Sequence, residues 1–287
     1  MPLRRRNGPA NNEAAEPLIR CADAELAQWS DTAATSTEEE SSFDPWRRRI
    51  VTILGKVLDV LPAALTVFLR PDLQERELRA LAALQERYVC PWDAANEIHV
   101  QLLTTLWRSH WRCMRKDVPP LTADMSSERW KELGFQDKHP ATDFRGAGLL
   151  SLRQLIYVVE TYPREWITAI QTPNYFAAAT GINVTMRLLV LLQIGTGLSC
   201  LEGKMARGYT LSLARVNLSR MIYHNNTEVA LQRLNEVYCA CMRRVWMSWE
   251  TSSKNIMLFN ALLDACFVEM EEIINVSSSL EEFCALM

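Results

Sequence analysis

A glycine-rich loop in the middle of the chain carries the side chain with the clearest potential for chemistry. Residues 130–148 read W-K-E-L-G-F-Q-D-K-H-P-A-T-D-F-R-G-A-G, and Arg145 is the long cation here without an obvious helical position. The glycine that follows it lets the backbone turn tightly and lets another surface approach closely. Spacing alone favours a structural salt bridge with Asp143 or a helix-end contact for Arg145, and makes Gln136 an ordinary polar loop residue.

Two other glycine-containing segments resemble nucleotide-binding motifs but do not match them. Gly146 and Gly148 begin like a dinucleotide-binding loop, but Ser151 stands where the third glycine belongs and no strand is predicted before them. The segment 197–204 is one residue too long for a phosphate-binding loop, and Met205 replaces the hydroxyl that would bind magnesium. The sequence therefore predicts no nucleotide-binding site and no cofactor.

The sequence contains no cluster of residues suited to metal binding or to nucleophilic catalysis. Cys239 and Cys241 are predicted to lie on one helix, where residues two apart point in different directions. The eight cysteines form no C-x-x-C pair, and the four histidines are isolated from one another. Thus we predict no metal site, and no Ser/His/Asp or Cys/His arrangement is evident.

Composition indicates a soluble globular protein. The chain has 287 residues, of which 48% are hydrophobic and 23% charged, with a net charge of -3. These values do not provide the concentrated basic surface that nucleic acid requires. The scattered cysteines and the absence of an apolar leader after Met1 predict reduced thiols in a cytoplasmic protein. Peripheral attachment at endomembranes, a cilium or a flagellum stays open.

Hydrophobic patterning divides the chain into four segments. Residues 1–43 are poor in large apolar side chains and are predicted to be a disordered arm. Residues 44–92 are predicted to form N-terminal helices that pack on a helical domain at 93–276, followed by a tail at 277–287. The apolar stretch 50–69 approaches the length of a membrane span, but two charges and a proline interrupt it, which favours an amphipathic helix.

Three- and four-residue spacing of apolar side chains predicts helices along the whole domain. A short helix is expected to start at Ser126 or Ser127 and end at Gly134 in the left-handed conformation. Gly148 and the capping-box pair Ser151 and Gln154 are alternative starts for the next helix. No segment alternates with a period of two, so the predicted fold is all-α. Other helices are expected from Pro71-Asp72, at 95–115, from Pro163, at 175–194, from Thr227 and at 254–274.

The central loop and its surroundings resemble one protein family. The matching residues are W-K-E-L-G-F-Q at 130–136 and P-A-T-D-F-R-G-A-G-L-L-S-L at 140–152, continuing through Tyr157, Tyr162-Pro163, Phe176-Ala177 and Gly181-Ile182-Asn183. This pattern is similar to that of the ELMO-domain proteins, in particular the ELMO domain-containing (ELMOD) branch, over about residues 71–274. The resemblance implies a single multi-helix ELMO-type domain.

The resemblance also implies a function. Proteins of the ELMOD branch act as GTPase-activating proteins (GAPs) for Arf and Arl GTPases, and the arginine of their D-F-R-G-x-G motif, Arg145 here, is regarded as catalytic. The implied partner is the GTP-bound form of such a GTPase. The remaining residues of the predicted site would support the loop or contact the partner, with Asp143 orienting the arginine: Trp130, Gly134, Phe135, Gln136, Thr142, Asp143, Phe144, Gly146 and Gly148.

A non-catalytic role is the alternative. The larger engulfment-and-motility scaffolds share the domain and assist exchange factors, but generally lack the D-F-R-G-x-G form. In such a scaffold or adaptor, Arg145 would be an interface residue or part of an internal salt bridge. An arginine buried in a helix-end salt bridge with no route to the surface would favour this alternative.

Overall fold

The computed structural model describes residues 73–195 and 213–287, and within those ranges it contains helices and no strand. The all-α prediction is therefore confirmed. The arm predicted at 1–43, the apolar stretch 50–69 and the glycine-containing segment 197–204 lie outside the described residues.

Nine α-helices and three 3-10 helices make up the described part of the chain. We number the α-helices α1–α9 and the 3-10 helices η1–η3. The order is α1 Glu75–Tyr88, α2 Glu97–Cys113, η1 Glu128–Leu133, η2 Pro140–Arg145, α3 Gly148–Thr161, α4 Pro163–Gln171, α5 Ala177–Leu192, α6 Leu213–Ile222, α7 Thr227–Thr251, η3 Ile256–Leu258, α8 Phe259–Val276 and α9 Leu280–Leu286.

Helix α3 lies at the centre of the domain. Ten of its 14 residues are buried, and it packs against α2, α5 and α7. An α-helix buried on most of its faces is expected to be apolar nearly all round, as the run Leu149, Leu150 and Leu152 already shows. The first turn of α3 therefore gives the central loop, which immediately precedes it, a fixed base.

Most helix ends lie within a few residues of where the sequence predicted them. Three helix ends differ from the prediction in their capping or position. Asn226, rather than Thr227, caps α7, because its side-chain oxygen accepts from the Glu228 N–H at 2.9 Å. Helix α3 starts at Gly148, and Ser151 donates to the Gly148 carbonyl instead of forming a capping box. Helix α5 ends at Leu192, because Gln193 takes the left-handed conformation two residues before the first expected glycine.

The segment 277–287, predicted as a tail, holds helix α9. The Ser279 hydroxyl accepts from the Glu282 N–H at 3.1 Å and caps this helix. Phe283 is fully buried, and α9 packs against α7 and α8. The last residues of the chain thus contribute to the core.

The His110 imidazole is buried in α2, and its Nδ1 accepts a hydrogen bond from the Trp166 indole N–H at 3.1 Å. Burial lowers the pKa of His110 from 6.5 to about 4. His110 is therefore a core residue whose Nδ1 is hydrogen-bonded inside the protein.

The lowered pKa of His110 should make the free energy of unfolding depend on pH. Between pH 6.5 and pH 4.5 His110 becomes protonated in the unfolded state but stays mostly neutral in the folded state. The free energy of unfolding should therefore fall by about 2 kcal/mol over this range. Denaturant unfolding across this range measures the loss. His110→Gln keeps an acceptor for Trp166 and should remove this part of the pH dependence; an unchanged slope in the variant would contradict the prediction.

Candidate functional site

A cluster of buried aromatic rings forms the floor of the central loop. Trp130, Phe135 and Phe144 are each at most 1% exposed. The Phe135 ring lies 5.3 Å from Trp130 and 5.8 Å from Phe144, both edge to face. Trp130 also packs 4.5 Å from Trp107 of α2, and its indole N–H donates to the Met125 carbonyl at 2.9 Å. The predicted anchors are therefore core residues that attach the loop to the domain.

The first half of the loop is held by helix η1 and by Gly134. The Ser127 hydroxyl caps η1, and Gly134 ends it with φ +87°, as the sequence predicts, although the short helix is 3-10 and not α. The Gly134 carbonyl accepts from the Ala179 N–H of α5 at 3.1 Å. A Cβ at Gly134 would lie within 3.0 Å of the Ala177 nitrogen. Glycine here permits both the left-handed turn and the close approach to α5.

The Asp143 carboxylate joins the two halves of the loop. Its Oδ2 accepts from the Gln136 backbone N–H at 3.1 Å, and its Oδ1 accepts from the Thr142 hydroxyl at 3.4 Å. Burial raises the pKa of Asp143, and those two hydrogen bonds and the nearby Arg145 charge act in the opposite direction. Asp143 thus bonds Gln136 and not Arg145, so it can orient the arginine only through the loop and through charge. Gln136 contributes its backbone, while its side chain is exposed.

The Arg145 side chain is exposed at the last residue of η2. Its Nε donates to the Thr142 carbonyl at 2.8 Å, which is the helix-end contact that spacing favours. Within residues 73–195 and 213–287, no carboxylate forms an ion pair with this guanidinium. The contact therefore fixes the stem of the side chain and leaves the terminal nitrogens for another molecule.

The two glycines after Arg145 differ in what they permit. Gly146 is exposed, and a Cβ there would meet the flexible thioether of Met186, whose sulfur would be 2.5 Å away. Gly148 is buried with φ +57°, and a Cβ there would lie well within 3.0 Å of the Cys90 carbonyl oxygen. The same carbonyl accepts from the Leu149 N–H at 2.9 Å. Gly148 therefore lets the segment after α1 pack directly on the start of α3.

An aromatic side chain beside the loop was not identified as functional by sequence reasoning. Phe176 precedes α5 and is 44% exposed, and its backbone contacts Gly134. Ten residues later on α5, the half-buried Met186 contacts Gly146. Phe176 and Met186 therefore lie beside two different glycines of the loop, Gly134 and Gly146 respectively. Phe176-Ala177 belongs to the residues that carry the family resemblance, and this membership could have identified Phe176 as a candidate functional residue from the sequence.

The described residues offer neither a metal-binding cluster nor a membrane-spanning helix. No group of three or more His, Cys, Asp or Glu side chains there could hold a metal ion. Over the same residues, no helix is long and apolar enough to cross a membrane. The six cysteines in this part of the chain are free thiols.

Comparisons with known proteins agree on one domain type. A family model described as the ELMO/CED-12 family matches residues 82–263. The chain is 36% identical to ELMO domain-containing protein 2 of Mus musculus over 108 residues, which cover 36% of this chain and 35% of that protein. It is 28% identical to ankyrin repeat and ELMO domain-containing protein D of Dictyostelium discoideum over 174 residues, which cover 59% of this chain and 12% of the relative.

A further match is 41% identity to ELMO domain-containing protein 1 of Mus musculus over 70 residues, or 24% of this chain and 20% of that one. The chain thus matches about a third or less of the length of these three curated relatives. No solved structure matches the chain significantly.

Proposed function

The chain belongs to the ELMO/CED-12 family, and we propose that it is a GTPase-activating protein that supplies Arg145 in trans to a GTP-bound Arf or Arl GTPase. The observation that carries the proposal is the exposed guanidinium on an anchored loop, which among residues 73–195 and 213–287 is bonded through Nε to the Thr142 carbonyl. The resemblance of the D-F-R-G-A-G segment to the ELMOD branch supports the choice of partner.

The chemistry of GTP hydrolysis explains what such an arginine would do. Negative charge develops around the transferring phosphoryl group, while the GTPase itself supplies the phosphate loop and the magnesium ion. A guanidinium that enters from a second protein can neutralise this charge and accelerate hydrolysis on the order of 10³- to 10⁵-fold. The activating protein then needs no nucleotide or acid–base pair of its own.

The loop is suited to this role because its backbone is held from several sides. The aromatic floor, the Gly134–Ala179 hydrogen bond and the Asp143–Gln136 hydrogen bond fix η2 before any partner arrives. A catalytic group that is already positioned loses little conformational freedom when it reaches the transition state. Gly146, the residue after the arginine, is exposed, so the backbone at this point of the loop is accessible to a partner.

Single-turnover GTP hydrolysis by a panel of Arf and Arl GTPases tests the proposal. Addition of this protein at micromolar concentration should accelerate hydrolysis by at least one member of the panel. Binding to a GTP-loaded GTPase without acceleration of hydrolysis by any member would identify the non-catalytic scaffold instead.

Phe176, beside the loop at Gly134, is proposed to contact the GTPase. Phe176→Ala should raise the protein concentration needed for half-maximal acceleration by about tenfold, because an exposed aromatic side chain in an interface can be a binding hot spot. The rate at saturation should stay the same. Leu78→Ala on α1, where Leu78 is 43% exposed, is the matched control and should change neither quantity. A loss of saturating rate in Phe176→Ala would contradict a purely binding role.

A further inference from the structure

A cavity lies at the opposite end of α3 from Arg145, between α3, α4, α7 and α9. Its volume is about 140 Å³. That is close to the roughly 150 Å³ that accommodates a benzene molecule in a protein interior. The residues that matter for its chemistry are Tyr162, Glu165, Trp166, Glu236, Arg243 and Trp246.

A carboxylate held by two tyrosines forms part of the wall. Glu236 of α7 accepts hydrogen bonds from Tyr157 and from Tyr162, the latter at 2.6 Å. Burial and the Glu236 charge raise the pKa of both tyrosines, so their hydroxyls remain donors. A carboxylate has about four lone-pair sites, and the tyrosines take two. Glu236 therefore retains acceptor capacity toward the cavity that it lines.

Two indole rings contribute apolar and aromatic surface. The Trp166 N–H donates to His110 and the Trp246 N–H donates to Thr172 at 3.0 Å, so both polar atoms are used inside the protein. What these rings can offer a ligand is their carbon surface and their electron-rich faces. Such faces attract organic cations, and aromatic cages for ammonium groups use this interaction.

The charges around the cavity favour a cation. Glu165 and Glu236 are two carboxylates against one guanidinium, that of Arg243. The Arg243 Nη2 donates to the Cys284 carbonyl of α9 at 2.8 Å, so one nitrogen of this guanidinium is already hydrogen-bonded inside the protein. We propose that the cavity binds a protonated alkylamine with a short apolar stem, with the ammonium group at Glu236 and the stem against Trp166 and Trp246.

This site is separate from the proposed catalytic arginine and goes beyond the proposed function. Arg145 precedes α3, whereas Tyr162 follows it, and a 14-residue helix is about 21 Å long. Ligand binding at one end of α3 can therefore be measured without altering the groups at the other end.

Titration of the full-length protein with n-butylammonium tests the inference. The readout is the NMR signals of the Trp166 and Trp246 indole N–H groups, with n-butanol and butyrate as probes of the same length. The ammonium should bind about fivefold or more tightly than either, given the size of cation–π and charge contributions. Equal or tighter binding of butanol or butyrate, or no shift with the ammonium at tens of millimolar, would overturn the proposal.

Variants that remove a charge from the cavity wall give a second test, in which the two changes should shift ammonium affinity in opposite directions. Glu236→Gln should weaken ammonium binding about fivefold or more, and Arg243→Gln should strengthen it, because each changes the field at the ammonium group. Glu160→Gln, an exposed carboxylate on α3, should have no effect. Reversed signs for the two wall variants would show an anion site and reject the proposal. Thermal melts confirm folding, and Glu165→Gln replaces Glu236→Gln if the latter unfolds.

The ligand group could come from a free amine or from a lysine side chain of another protein. Comparison of n-butylammonium with a short lysine-containing peptide distinguishes these sources. Tighter binding of the peptide assigns the site to a protein side chain, tighter binding of the free amine assigns it to a small molecule, and binding of neither rejects the site.

Discussion

Arg145→Lys is expected to remove most of the acceleration of GTP hydrolysis, a loss on the order of 10³-fold or more if the arginine acts in trans. Lysine keeps the positive charge but lacks the planar fork of donors that can contact two oxygens of the transferring group. Single-turnover hydrolysis with saturating protein measures the effect, because saturation separates the chemical step from binding.

Two controls make the Arg145→Lys result specific. The variant should bind the GTP-loaded GTPase nearly as well as the wild type and should unfold at the same temperature, because the side chain is exposed and is held by one hydrogen bond from Nε to the Thr142 carbonyl within the described part of the chain. Arg164→Lys on α4, another exposed arginine, should retain full activity. Equal activity of the Arg145→Lys protein and the wild type would reject the arginine finger and favour the scaffold.

Gly148→Ala is expected to destabilise the domain by about 3 kcal/mol or more. The alanine would have to keep φ at +57°, and its Cβ would collide with the Cys90 carbonyl. That carbonyl also holds the Leu149 N–H at the start of the central helix, so relief of the collision should break this hydrogen bond. Urea unfolding of the variant and the wild type measures the difference.

Gly146→Ala is the matched control for Gly148→Ala. It lies two residues away, its φ is −87°, and the new Cβ would meet only the flexible end of Met186. We expect a loss of less than about 1 kcal/mol, because a flexible thioether can move where a backbone carbonyl cannot. Similar losses in both variants would mean that the Cys90 contact does not determine the cost.

Some local interactions could be predicted from the sequence. Ser127 and Gly134 determine the start and end of η1 through bonds to their own neighbours; Gly134 was predicted, and Ser127 was one of two predicted caps. Other local details were predicted wrongly, because Asn226 caps α7 in place of Thr227. The period of the apolar residues predicted the all-α class, because a buried helical face repeats with the turn of the helix. The motif around Arg145 identified the family through a contiguous run of residues, and this required no knowledge of contacts.

Tertiary structure decided whatever depends on residues that are distant along the chain. Gly148 meets Cys90, Gly134 meets Ala177, and Glu236 meets Tyr157 across 79 positions. Asp143 was expected to orient Arg145, but its carboxylate accepts from the Gln136 backbone N–H, which the folded loop brings within 3.1 Å. Whether an arginine side chain is buried or exposed depends in the same way on which surfaces surround it, and no local pattern encodes them. The exposure of Arg145, on which the proposed function rests, was therefore visible only after the chain had folded.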